Sequence, residues 1–178
     1  MNRKLNRIIQ EIYSVIDQGG QIMSHEGQQL FERWHKHRTV LLHLLQDVQN
    51  EHLDYKPWEN AYTLGALAVH IAASSDMFLR SIVKGSFSPP SISTEFETID
   101  DIRNIVQAST ESSTAVFNEL SDILLEQPLD FNGFVAPGKV WLSNMVDHEI
   151  HHKGQLFTYV RAVGIEKVPF FTVQPPKQ

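Results

Sequence analysis

Apolar residues recur at intervals of three and four along most of this 178-residue chain, which places them on one face of a helix; strands would need strict alternation. Over 27–50 the repeat is Leu30, Phe31, Trp34, Leu41, Leu42, Leu45 and Val48, with Glu32, Arg33 and Lys36 between them. Thr63 is a helix cap for a segment running to Lys84 and stopped by Gly85, whose face carries Leu64, Leu67, Ile71, Phe78 and Ile82. A third begins at Asp100 or Asp101, carries Ile102, Ile105, Val106, Val116, Phe117, Leu120 and Leu124, and is expected to end before Pro128. The last spans Lys139 to Val163 with Trp141, Met145, Leu156, Tyr159 and Val160 inward, before Gly164.

Four amphipathic segments of this length bury their stripes against one another, so the expected fold is all-α, a four-helix bundle. The Ser-, Thr- and Pro-rich stretch 86–98 and the stretch 128–138 read as loops long enough to shape a site, and no strand is expected. A shorter amphipathic helix over 3–17 carries Leu5, Ile8, Ile9, Ile12, Val15 and Ile16 and stops at Gly19-Gly20. Residues 1–26 are therefore an expected helical extension and 27–178 the bundle domain.

With no cysteine, the chain cannot use a disulfide, a thiolate-bound metal or a thiol nucleophile of its own, so any metal must bind through histidine or carboxylate. Fifteen basic against 21 acidic residues give a net charge of -6, the wrong sign for tracking phosphates, and nucleic acid is not an expected partner. No run reaches the roughly 20 apolar residues of a membrane span, and the N-terminal stretch lacks a signal-peptide apolar block, so a cytoplasmic protein is expected.

Position separates the nine histidines. His148 and His152 lie four apart on one helix, one turn from each other, on the same face as Met145, Leu156 and Tyr159, a spacing suited to one metal ion. A divalent ion needs a third ligand. His70 lies beside Leu67, Ile71 and Ser74 among the small residues Ala66, Ala68, Ala72 and Ala73; His37, in helical register with Trp34 and Leu41, competes with it on spacing alone. His25, His35, His43 and His52 read as solvent or rim residues, and His151 faces elsewhere. His148-Glu149-Ile150-His151-His152 also matches H-E-x-x-H, where the glutamate of a zinc peptidase acts as general base. The extended form of that motif fails at Gln155 and Thr158, and no strand is in view to hold a peptide, so Glu149 is expected instead to be an outer-sphere or surface acid.

Several segments together resemble the DinB-like, or YfiT-like, four-helix-bundle metalloproteins of the bacillithiol S-transferase superfamily. They are Asp147-His148-Glu149-Ile150-His151-His152-Lys153-Gly154-Gln155, the upstream Tyr62-Thr63-Leu64-Gly65-Ala66-Leu67-Ala68-Val69-His70-Ile71, Trp34 with Arg38 and Leu41-Leu42, and Leu53-Asp54-Tyr55-Lys56-Pro57-Trp58. The resemblance covers about 28–171 and implies His70, His148 and His152 as ligands of one divalent metal ion, zinc or nickel; Gln155 reads equally as an outer-sphere or an ordinary hydrogen-bonding residue, and Tyr159 as a pocket wall or a core residue. Three neutral imidazoles leave the ion its full charge, which acidifies a bound water or thiol. The resemblance further implies thiol transfer or hydrolysis on a small electrophile, a low-molecular-weight thiol as cosubstrate, and a homodimer. The family name refers to damage induction. A metal-binding stress-response scaffold without turnover is the alternative, and a peptidase a more distant one; catalytic residues beyond the ligands are not assigned.

Overall fold

The computed structural model describes residues 23–175, and the helix expected over 3–17 lies outside the described residues. Four long helices build the fold: α1 (His25–Leu44), α2 (Leu64–Lys84), α3 (Ile99–Glu119) and, after the short α4 (Asp122–Glu126) and the strands β1 (Pro128–Phe131) and β2 (Phe134–Pro137), α5 (Gly138–Ala162). The bundle is the expected one. Thr63 caps α2 by accepting from the Ala66 N–H at 3.2 Å, and Gly85 ends it at φ 73°. Thr98 and Asp101 form a reciprocal capping box at the start of α3, one residue earlier than the sequence suggested.

Three features differ from expectation. α1 stops at Leu44 instead of near residue 50, and the carbonyls of Leu45, Gln46 and Val48 accept hydrogen bonds at 2.8–3.2 Å from the Arg103 guanidinium on α3. The third helix breaks at Leu120, which is fully buried, and restarts as α4 with Ser121 as its cap. The stretch 128–138 is an antiparallel hairpin, not a loop, turned by Asn132 and Gly133 at φ 56° and 88°. Asn-Gly supplies both left-handed positions that a two-residue hairpin turn requires. Leu129 buries its side chain, and the Trp141 Nε1–H donates to the Leu129 and Ala136 carbonyls, which ties the hairpin to α5.

α2 has the length and mean hydropathy, 1.3, of a membrane span, contrary to the sequence reading, yet 72% of that window is buried within the bundle. Its small residues admit close neighbours. A Cβ at Gly65 would lie 2.7 Å from the Phe96 ring, so only glycine there lets the 86–98 loop pack against the helix.

The core is apolar at both ends and polar between. One cluster holds Leu41, Leu67, Ile102, Val106 and Leu156; the other holds Trp34, Phe78, Phe117, Leu142 and Val146. Between them along the helices lie Arg38, Ser75, Ser109, Thr110 and Glu149. Arg38 and Glu149 are 0% and 1% exposed and pair bidentately, Nε to Oε1 at 2.9 Å and Nη2 to Oε2 at 2.8 Å. The Trp34 Nε1–H donates to Oε2 at 2.7 Å, and the Arg38 guanidinium also donates to the hydroxyls of Ser75, Ser109 and Thr110. One network thus joins α1, α2, α3 and α5, and among the described residues no buried side-chain polar atom lacks a partner.

Removing one member strands the other charge in the core. Arg38→Met is expected to lower the unfolding free energy by about 3–5 kcal/mol, and the paired Arg38→Met/Glu149→Gln to recover part of that loss; urea unfolding of the two variants beside the parent measures both.

Candidate metal centre

The structure brings His70 of α2 together with His148 and His152 of α5: one ring nitrogen from each lies within 4.8 Å of the others. Ring centroids are 5.1 Å apart for His70 and His148, 4.8 Å for His70 and His152, and 4.4 Å for His148 and His152. The i,i+4 spacing supplies two ligands from one helix, and the small residues of α2 bring the third within reach.

The neighbours fix each ring. Tyr62, in the turn before α2, stacks on His70 at 4.9 Å and 19°. The Gln155 side-chain carbonyl oxygen lies 2.7 Å from His152 Nδ1, so Nδ1–H donates to it and the Nε2 lone pair is left for a metal. The same amide reaches His151 Nε2 at 3.2 Å with its nitrogen, which holds the carboxamide between two imidazoles. Phe78 meets His148 edge-on at 6.1 Å and stacks on Phe131 of β1, which itself stacks on Trp141. The hairpin therefore buttresses the wall of the centre.

All three imidazoles are half-buried, and burial shifts them toward the neutral form. For His148, desolvation followed by the neighbouring His152 and His70 pushes the pKa down to about 4. Burial and then His152 lower His70; burial also lowers His152, where the hydrogen bond that its Nδ1–H donates to Gln155 opposes the lowering. The donor set suits a divalent ion: neutral at neutral pH, convergent, and free of a charged base among its members. His70 and His148 also line a cavity of about 460 Å³ between α2 and the 86–98 loop, so the cluster borders open space.

The remaining sequence candidates lie elsewhere. His37 is not in the triad; its Nδ1 is 2.8 Å from the Lys153 Nζ, which also donates to the Phe171 carbonyl. His25, His35 and His43 are exposed, His52 is half-buried in the 3-10 turn Asn50–His52, and His151 is exposed beside His152. Glu149 is a correction: it is neither at the surface nor free, because its carboxylate is held by Arg38, Trp34 and Ser75 in the core. A carboxylate so engaged has no proton-accepting role toward a metal-activated water, which removes the basis of the H-E-x-x-H reading. Tyr159 belongs to the core, edge-on to Tyr55 at 5.7 Å. Tyr62 and Phe96 carried no assigned role in the sequence reading; an aromatic just before the capped start of α2 is the one local signal for the first, and Phe96 had none.

Two outcomes follow from this geometry. Gln155→Leu is expected to weaken zinc binding about 10- to 100-fold by freeing the His152 ring, measured by titration calorimetry on metal-free protein. Because the folded pKa of His148 lies near 4 and its ordinary value is 6.5, the unfolded chain binds more protons in that interval. The stability this group contributes is complete above 6.5 and is lost as pH falls toward 4. Metal-free protein should thus lose more stability between pH 7.5 and 5 than a His148→Asn variant does, by urea unfolding at both values.

The DinB family model matches residues 23–176. The uncharacterized protein YjoA of Bacillus subtilis is 32% identical over 149 residues, covering 82% of this chain and 96% of its own length. The crystal structure of YjoA superposes with a TM-score of 0.74, at 30% identity over 82% of this chain and 99% of that one. A DinB-like protein from Bacillus cereus shares the fold at a TM-score of 0.69, with 22% identity over 80% of this chain and 95% of that one. So does YfiT from Bacillus subtilis, described as a probable metal-dependent hydrolase with an unusual four-helix bundle topology, at a TM-score of 0.63 and 15% identity over 79% and 90% of the two chains. From the family match over all the described residues and the relative in YjoA, the chain belongs to the DinB family.

Proposed function

We propose that this protein binds one divalent ion, zinc or nickel, through His70, His148 and His152 and uses it in hydrolysis of, or thiol transfer to, a small electrophile. The observation that carries this reading is the convergence of three neutral imidazoles at the edge of an open cavity. A metal held there supplies Lewis acidity, polarising the electrophile and acidifying the attacking water or thiol. The chain's own groups orient and enclose. Tyr62 and Gln155 hold two of the rings in place, and the burial that keeps the imidazoles neutral spares the ligands from proton competition at neutral pH.

The apolar walls of the cavity exclude water from the substrate, while the Ser74 and Thr94 hydroxyls offer hydrogen bonds to its heteroatoms. With no cysteine in the chain, a thiol nucleophile would have to arrive as a cosubstrate. The description of YfiT as a probable metal-dependent hydrolase favours water as the nucleophile.

Elemental analysis of protein purified without a histidine tag is expected to give about one zinc or nickel per chain, lost in His148→Ala/His152→Ala handled in parallel. Ester hydrolysis, and addition of a low-molecular-weight thiol to an electrophile, should follow metal content. Absence of metal after loading with either ion overturns the proposal, and stoichiometric metal without turnover of either kind leaves a binding scaffold.

A further inference from the structure

The cavity beside the histidines has a chemical character of its own. Apart from His70 and His148, its polar groups are the hydroxyls of Tyr62, Ser74 and Thr94, and among the described residues no charged side chain lines it. Its floor is α2, where Ala66 and Ala73 flank His70 on one face and leave space that larger residues would fill. Met77 and Phe78 of the same helix also line it, and Pro90, Thr94 and Phe96 of the 86–98 loop form a wall.

That wall is anchored at three points. The Asp76 carboxylate accepts from the Ser91 N–H at 2.5 Å and from its hydroxyl at 3.1 Å. Ser81 Oγ accepts from the Ser88 N–H at 2.9 Å, and Phe96 sits against the bare Cα of Gly65. The loop is therefore a built wall held against the helix, and the Asp76 carboxylate is engaged in holding it.

We infer that this cavity seats the non-reacting part of the substrate and selects an uncharged aryl or branched-alkyl group, with Ala73 and Thr94 setting its size. The inference rests on the reading of the histidines as a metal centre, since that is what makes the group next to it a substrate's. An apolar cavity of about 150 Å³ already holds a benzene ring, so about 460 Å³ admits a substituted or fused aryl group. A carboxylate or ammonium placed here would leave water without a counter-charge, a cost that an uncharged group avoids. The selection is thus by charge first and by volume second.

The cavity can be probed without the metal. The chain has four methionines, of which Met77 lines the cavity, so methyl-¹³C methionine gives a local NMR signal assigned by Met77→Leu. In metal-free protein, benzyl acetate is expected to shift the Met77 methyl resonance saturably, with phenylacetate anion and benzylamine binding at least tenfold more weakly. Ala73→Leu should weaken benzyl acetate at least tenfold, and Thr94→Trp, on the exposed loop where helix packing is untouched, should do the same. Equal binding of a charged probe, or unchanged affinity in a folded Thr94→Trp protein, overturns the inference. Zinc loading of the same samples separates the two readings. Neutral-probe selectivity without zinc retention overturns the metal centre and leaves the cavity's selectivity standing, whereas zinc retention without selectivity overturns the inference alone.

Discussion

The bidentate pair between Arg38 and Glu149 is the constraint on which the rest of this molecule depends. Two charges with essentially no solvent contact are tolerated only if every donor and acceptor is met, and the network meets them from four helices at once. That requirement sets the rotation of α5 about its own axis. Glu149 must point into the core, so His148 before it and His152 after it are turned toward α2, where His70 waits. Two of the site's three histidines and the glutamate of the core belong to one pentapeptide, and the helical turn distributes them to different tasks.

The same division runs through α2. Its face toward α3 and α5 is packed with Leu67, Ile71 and Ser75, while Ala66, His70 and Ala73 face the cavity. Small residues allow close helix approach on one side and leave room on the other. The aromatic stack of Phe78, Phe131 and Trp141 carries the support outward to the hairpin, so the site's far wall is held by residues more than 50 positions away in sequence from α2's start. Burial shifts the three imidazoles toward the neutral form, which is the state a metal requires of them.

Much of the fold was legible locally because its signals are local. The cap at Thr63, the stop at Gly85 and the 3.6-residue periodicity each act within one helix, and the structure keeps them. His148 and His152 were legible together for the same reason: their spacing alone places them one turn apart. The hairpin was also written in the chain, in Asn132-Gly133 between Phe131 and Phe134, but its strands are four residues long and the alternation in them is too brief to stand out. The early end of α1 had no such signal, since Arg103, from another helix, captures the carbonyls that follow it.

The sequence by itself determined the helical class, most helix ends and the pair of histidines on α5, because hydrophobic period and capping chemistry act over a few residues. Which of His70 and His37 lies beside His148 and His152, the burial of Glu149 and the uncharged character of the cavity were decided only by the tertiary structure. Each of these depends on which faces of separate helices meet, and a periodic pattern leaves that open. A glutamate between two histidines matches the H-E-x-x-H pattern in sequence, and only the fold shows Arg38, 111 positions earlier, holding its carboxylate in the core.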